Sequence, residues 1–351
     1  MIQTITWTNG AVKIIDQTKL PGELKYIYCR DIKTLWEAIK RLRVRGAPAL
    51  GAAAAFGVLL ASQLYKGKTQ RAFDEYIKKT CAYLATSRPT AVNLFNALNQ
   101  MQGVLKNHPN ASLDQIKRLL KTEALKIYKT DQQTCRQMGN FGARLIKNHS
   151  NVMTICNAGA LATVDYGTAL GVFYSAKRKG RKFSVYVCET RPLLQGARLT
   201  TWELLKGGID TTLICDNMAA SLMKKKKINA IFTGADRIAA NGDTANKIGT
   251  YNLAVLACHH KIPFYVVAPF SSFDMTIHSG RDIPIEQRDR NEVLGFGREK
   301  TAPANVKVYN PAFDVTDHNL ITAIITEAGI IQPPDKKTIK QAFLKTHARA
   351  K

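Results

Sequence analysis

Acidic residues are scarce in this chain of 351 residues: 26 Asp and Glu stand against 51 Lys and Arg, a formal net charge of +25. Several signatures of cofactor chemistry are also missing. No G-x-G-x-x-G, no P-loop, no G-x-S-x-G and no H-E-x-x-H occurs. These absences argue against a nicotinamide oxidoreductase, an NTPase, a lipase-type hydrolase and a zinc protease. The seven cysteines, at 29, 81, 135, 156, 188, 215 and 258, form no C-x-x-C pair and no Cys/His cluster. Zinc and a disulfide framework are therefore not indicated, and reduced thiols in a cytoplasmic protein fit best. No apolar run reaches the ~20 residues of a membrane span. The most apolar window, 46–62, is rich in Ala and Gly and reads as a buried core helix. The opening MIQTITWTNG has no basic stretch followed by an apolar one, so a secretory signal is not indicated.

What is present suits a globular protein with two cores: 45% of residues are hydrophobic and 22% charged. The basic residues are dispersed, with dense groups only at 224–227 and in the tail KKTIKQAFLKTHARAK. The lysine run closes an expected helix, where cations suit the dipole. No RNA-binding aromatic signature or zinc-finger spacing accompanies them, so nucleic acid is not read as the principal partner. A positive field also suits a phosphorylated metabolite.

The first half reads as hairpin and helix. Asn9-Gly10 is a hairpin signal, 24–29 reads as another strand, and helical periodicity covers 33–43, 48–65, 70–85, 90–106, 112–128 and 131–147. Ser112 and Gln115 have capping-box spacing. The second half alternates apolar runs (152–155, 184–188, 212–215, 230–233, 264–268) with helical segments (160–177, 195–206, 218–225, 244–260). That alternation predicts an α/β fold with a doubly wound parallel sheet, whose ligands bind past the carboxyl ends of the strands. The expected domains are an N-terminal hairpin and helical domain at 1–147, a catalytic domain at 148–332, and a loosely held basic tail at 333–351.

The strand-end rule selects Cys156, Glu189, Asp216 and Asp236. Cys156 is expected at a strand-to-helix turn, where unpaired N–H groups favour a thiolate and can hold phosphate. Asp236 is followed by RIAANGDTANKIGT, in which Asn246 and Lys247 are expected to open a helix, and Asp243 is expected to converge on the same strand end. Gln195 stands at a helix start in ETRPLLQGARLT, where Arg191 and Arg198 suit phosphate or an ion pair with Glu189. Arg45, Gly46 and Ala47 precede a Pro-started helix, as Arg88 precedes another.

Together RGAPA, RPTAVNL, TICNAGALAT, ETRPLLQGARLT, DNMAASLM, GADRIAANGDTANKIGTY and IPIE closely resemble the methylthioribose-1-phosphate isomerases. These belong to the wider initiation-factor 2B alpha/beta/delta-like family, and the resemblance covers residues 5–330. It implies a mainly helical N-terminal domain beside a Rossmann-like domain, a homodimer, no metal and no organic cofactor. It further implies an aldose–ketose isomerase of methionine salvage, with Cys156 and Asp236 as the catalytic pair. Arg45, Gly46, Ala47, Arg88, Gln195, Asn246 and Lys247 match the substrate-contacting positions. Cys135 departs from an expected Asn, and Cys188 stands where an acidic residue commonly precedes the Glu. Alternative readings are an isomerase of 5-deoxyribose 1-phosphate or ribose 1,5-bisphosphate, or a non-catalytic subunit that senses sugar phosphates. A sensor needs neither Cys156 nor Asp236, and no second cationic site for a bisphosphate is evident.

Overall fold

Asn9 and Gly10 both take positive φ, +47° and +73°, the geometry of a two-residue hairpin turn. They join β1 (Ile5–Thr8) to β2 (Ala11–Ile15), and β3 (Tyr26–Cys29) completes an antiparallel meander. The structure is a computed structural model and describes residues 2–88, 91–296 and 299–349. It divides into two units: Met1–Cys135 with Gly159–Gly167, and Arg136–Ala158 with Thr168–Lys351.

In the first unit the meander is followed by α1 (Ile32–Lys40), α2 (Ala47–Leu64), α3 (Gln70–Ala85), α4 (Val92–Asn107) and, up to Cys135, α5 (Leu113–Gly142). The helix α2 is apolar on every side, and residues 49–62 of it are all buried, as a central core helix must be. Its length and composition would suit a membrane span, but its partners are α-helical side chains of the same core, Leu35, Phe73, Leu84 and Leu98 among them. Ser112 and Gln115 form the expected box: Ser112 N–H donates to Gln115 Oε1 and Gln115 N–H to Ser112 Oγ.

Two expectations are corrected here. The segments 112–128 and 131–147 form one helix, α5, because nothing between them breaks it. Asp131, rather than capping a new helix, accepts the Val164 N–H at 2.8 Å. The boundary expected at 147/148 therefore moves to 135/136. The first unit also takes back residues 159–167: Thr4 Oγ1 donates to Ala160 O, and Gln17 Nε2 donates to Leu161 O.

The second unit is built on a seven-stranded sheet. Its strands are β4 (Ser150–Thr154), β5 (Phe183–Cys188), β6 (Asp210–Ile214), β7 (Ala230–Thr233), then β8 (Arg237–Ala239) and β9 (Thr244–Lys247) outside it, and β10 (Phe264–Val267) within it. Further on come β11 (Phe273–Asp274), the short α-helical turn Asn291–Leu294, the strand pair β12 (Gly295–Phe296) and β13 (Glu299–Lys300), β14 (Phe313–Thr316), β15 (Ala323–Thr326) and β16 (Gly329–Ile331). The helices between the sheet strands are α6 (Ala169–Arg178), α7 (Thr201–Lys206), α8 (Ala219–Lys224) and α9 (Thr250–His259).

The order across the sheet is β6-β5-β4-β7-β10-β15-β16, with every pair parallel except β15–β16. The chain winds outward from β4 through β5 and β6, then returns to the other side of β4 with β7. That is the doubly wound order, and its switch point lies between β4 and β7. A separate four-stranded sheet has the order β11-β8-β9-β14.

The tail is also corrected. Residues Lys336–Arg349 form a helix, opened by Asp335, whose side chain accepts the Thr338 N–H. Ile339 is fully buried, and Phe343 packs edge-on against Phe270 and Phe273. Apolar residues at helical spacing amid the lysines dock the segment.

Candidate active site

Cys156 lies two residues beyond β4 at φ +61°. A side chain in this left-handed region costs about 1–3 kcal/mol and persists where neighbours hold it. The neighbours are visible. Thr190 Oγ1 accepts the Cys156 N–H at 2.8 Å, and Thr200 Oγ1 donates to the Cys156 carbonyl. Thr190 is itself at φ +69° and fully buried, with its hydroxyl donating to Cys188 O. Thr200 closes a π-helical turn, Gly196–Thr200, a geometry often found at functional sites. That turn presses so closely on the end of β5 that a Cβ on Gly196 would stand 1.8 Å from Cys188 O. Only glycine fits there.

Beneath this clamp is a buried polar chain. Asn157 Nδ2 donates to Thr200 Oγ1 and, at 2.6 Å, to Glu203 Oε1, while Tyr174 donates to Glu203 Oε2 at 3.0 Å. Glu203 is fully buried, so these donors are what make its burial tolerable. The chain Tyr174–Glu203–Asn157–Thr200 ends on the peptide that carries the thiol.

The expected helix start after Cys156 is corrected: α6 begins at Ala169, and the Cys156 N–H is engaged by Thr190. The thiol is therefore positioned by a clamped, strained turn and not by a helix terminus. Among the other cysteines, burial pushes Cys29 and Cys81 up to about 12, and raises Cys135 and Cys188 well above the ordinary thiol range. These four are inert core groups.

Asp236 follows β7, the strand next to β4, with Met153 paired to Ile231. Its N–H donates to Ala245 O at 2.9 Å. The Arg237↔Ala245 pairing, continued one step, sets Asp236 opposite Asn246. The loops after β4 and β7 touch: a Cβ on Gly234 would meet the Ala158 Cβ at 2.9 Å. Cys156 and Asp236 thus stand at the carboxyl ends of adjacent strands, at the switch point.

Asn246 and Lys247 do not open a helix as expected; they end β9, which pairs with both β8 and β14. Strand pairing on two sides overrides the helical spacing of 244–260, and α9 starts only at Thr250. Asn246 is buried, donating to Thr250 Oγ1 at 3.0 Å. Lys247 Nζ donates to Ala312 O at 2.9 Å and lies 4.8 Å from the Phe313 ring centre. Asp243 does not converge on this strand end: it accepts from His318, Gly280 and Asn241.

Gln195 precedes the π-turn. It is 6% exposed, and its Oε1 has no hydrogen-bond partner among the described residues. An unmet buried amide oxygen costs about 1–3 kcal/mol, and a ligand hydroxyl would satisfy it. Asp216 takes a structural place, its two oxygens accepting the N–H groups of Thr190 and Arg191. Among the described residues Glu189 and Arg191 form no ion pair: the Arg191 guanidinium donates to Pro192 O and Val293 O. Glu189 sits beside Cys215 and raises that exposed thiol.

Arg45, Gly46, Ala47 and Arg88 belong to the first unit. Gly46 caps α2 at φ +92°, and a Cβ there would strike Ala162 O at 2.4 Å. Arg45 Nε donates to Gln17 Oε1 at 3.2 Å. Arg88 lies just before α4, and Pro89 and Thr90 of its motif lie outside the described residues.

Residues 43–333 match the family described as the initiation factor 2 subunit family. The chain belongs to it. Within the family, the chain is 54% identical over 342 residues to a methylthioribose-1-phosphate isomerase of Fervidobacterium nodosum, covering 97% of each chain. It is 51% identical, again over 97% of each, to a 5-deoxyribose 1-phosphate isomerase of Moorella thermoacetica. The solved 5-methylthioribose 1-phosphate isomerase of Pyrococcus horikoshii superposes with a TM-score of 0.93 at 47% identity, over 98% of this chain and 96% of that one.

Two groups of this family member escaped the sequence reading: the Glu203 chain and Asp314. The stretch PAFDVT carries no motif that would mark Asp314; only the pairing of Asp314 with Asn246 across β14 and β9 reveals it. Its carboxylate accepts the N–H groups of Gly249 and Tyr251 at 2.6 and 3.1 Å, fixing the turn between Lys247 and α9. Burial pushes its pKa up to about 6, against those hydrogen bonds and Lys247, which pull it down. A carboxyl raised in the folded state supports folding fully below its unfolded value of 3.8, and that support fades as pH rises through 6. Asp314→Asn removes the titration. The thermal midpoint of the wild type relative to this variant is therefore expected to fall between pH 4 and pH 7, by up to about 3 kcal/mol in stability. Parallel pH curves for the two proteins would contradict it.

Proposed function

We propose that the chain is an aldose–ketose isomerase that converts 5-methylthioribose 1-phosphate to 5-methylthioribulose 1-phosphate. The observation that carries this reading is that a half-buried cysteine and a half-buried aspartate follow adjacent strands at one switch point, Cys156 after β4 and Asp236 after β7. The names of its relatives support the substrate class.

The substrate is a furanose whose anomeric oxygen is esterified, so the ring cannot open by simple loss of a hydroxyl proton. Asp236 protonates the ring oxygen as the bond from C1 to that oxygen breaks. Cys156, as thiolate, removes the proton on C2 and returns it to C1, through an enolate-like intermediate. The 2-hydroxyl proton goes to Asp236 as the C2 carbonyl forms. One hydrogen has then moved from C2 to C1 and another from the 2-oxygen to the ring oxygen, with both side chains restored. Both electron pairs stay within the substrate, so the chemistry calls for no redox cofactor. Gln195 Oε1 is the acceptor for a sugar hydroxyl, and Asn246 and Lys247 supply a donor and a cation beside Asp236. The substrate contacts of Arg45, Gly46, Ala47 and Arg88 rest on the sequence resemblance. So do the place in methionine salvage and the homodimer, while the cytoplasmic setting rests on the scattered cysteines.

The test compares kcat/KM for the 1-phosphates of 5-methylthioribose, 5-deoxyribose and ribose 5-phosphate. The methylthio sugar is expected to lead by about 10–200-fold over the deoxy sugar, the range one apolar group supplies in a pocket. A lead for 5-deoxyribose 1-phosphate would favour the second reading, which the Moorella relative supports. Turnover of none of the three would remove the proposal.

A further inference from the structure

The formal charge of +25 has no use in this chemistry, since one sugar phosphate needs few cations. In the second unit the topology sorts much of that charge to one end of the sheet. Lys147 precedes β4, Arg181 and Lys182 precede β5, Lys206 precedes β6, the run 224–227 precedes β7, and Lys261 precedes β10. All of these are exposed, and none pairs with a carboxylate among the described residues. Asp210 is the one carboxylate that begins any of these five strands, and it accepts from Ser184 Oγ. The acids Glu189, Asp216 and Asp236 lie at the opposite, carboxyl end.

Helix dipoles explain only part of this. The benefit of a cation fades beyond the last turn, yet α6 ends at Arg178 and α8 at Lys224. Arg181, Lys182 and residues 225–227 lie past those ends. They repel one another, and the loops that carry them are tied side by side. His149 N–H donates to Lys182 O and Lys182 N–H to Asn148 Oδ1. Asn151 Nδ2 donates to Lys227 O, and Ile231 N–H to Pro263 O. The five strand starts, about 4.8 Å apart, span ~19 Å, the length over which one nucleic-acid strand presents about five phosphates.

We propose that the amino-terminal end of the parallel sheet, remote from Cys156 and Asp236 along the strands, binds the phosphate backbone of single-stranded RNA without sequence preference. Lysine predominates, giving mobile point charges rather than the paired forks that read bases. A membrane fits less well. The loops at 147–149, 177–182, 224–227 and 259–261 carry no exposed large apolar side chain, and Leu205 beside Lys206 is the nearest one.

The test is fluorescence anisotropy of the full chain with a labelled, mixed-sequence 20-nucleotide RNA. About five phosphate contacts imply a salt slope near −3.5, so the affinity should fall by roughly 100-fold between 50 and 200 mM KCl. A variant carrying Lys→Gln at 224, 225, 226, 227 and 182 with Arg181→Gln should lose at least about tenfold in affinity at 50 mM while keeping full isomerase turnover, which also shows that it is folded. Lys336→Gln, Lys337→Gln and Lys340→Gln in the C-terminal helix should leave binding intact. Four results would overturn the proposal: no RNA binding at 50 mM salt, equal binding by the six-site variant, loss of binding in the C-terminal variant instead, or tighter capture by vesicles containing 30% phosphatidylserine than by RNA.

Discussion

Asp236→Asn is expected to lower kcat by about 10²–10⁴-fold, the usual contribution of a positioned general acid, with KM changed only a few-fold. The amide keeps the size of the carboxyl and its capacity to accept a hydrogen bond, and removes only the transferable proton. The backbone bond that sets this residue beside β9, Asp236 N–H to Ala245 O, is unchanged in the variant. Steady-state kinetics with the methylthio substrate measure the split. A variant with near-normal kcat would end the assignment outright. Asp216 could not inherit the role, since both its oxygens already hold the N–H groups of Thr190 and Arg191.

Cys156→Ser should be as damaging, by about 10²–10⁴-fold in kcat, for a different reason. Serine fits the same clamped turn and keeps the backbone bonds to Thr190 and Thr200. Its hydroxyl, however, is far too weak an acid to cycle a proton between C2 and C1. Turnover of the wild type in deuterated water should place solvent deuterium at C1 of the product, because the proton held on sulfur exchanges with solvent before C1 is protonated. If kcat falls in the serine variant yet the wild type incorporates no deuterium, hydrogen moves as a hydride, and Cys156 stabilises that transition state instead of carrying a proton.

Much of the fold could be read from periodicity. The edges of α3 and β7 coincide with the apolar patterns at 70–85 and 230–233, and Asn9-Gly10 and the Ser112–Gln115 box behave as their chemistry requires. The errors share a cause. Residues 244–260 have helical spacing, but 244–247 are paired on both sides by β8 and β14. The tail is lysine-rich, but Ile339 and Phe343 find an aromatic cluster to pack against. Both outcomes depend on partners tens of residues away, which no local window contains.

The candidate site divides the same way. Cys156, Asp236 and Gln195 stood out because small and polar residues crowd the ends of apolar runs. Asp314 and Glu203 did not, because an isolated acid in an ordinary stretch carries no mark of burial. One becomes a buried acceptor through its strand register and the other through Asn157 and Tyr174.

By itself the amino-acid order determined the segments whose periodicity is undisturbed, such as α3 and β4 to β7, and which residues stand at those strand ends, since backbone propensity and apolar spacing act over a few neighbours. Only the tertiary structure decided that β7 returns beside β4, bringing one sulfur and one carboxyl to adjacent strand ends. It also gathered lysines scattered over more than a hundred positions onto one end of a sheet. Strand order is set by crossover connections and by burial on both faces of the sheet, and those are properties of the whole folded chain.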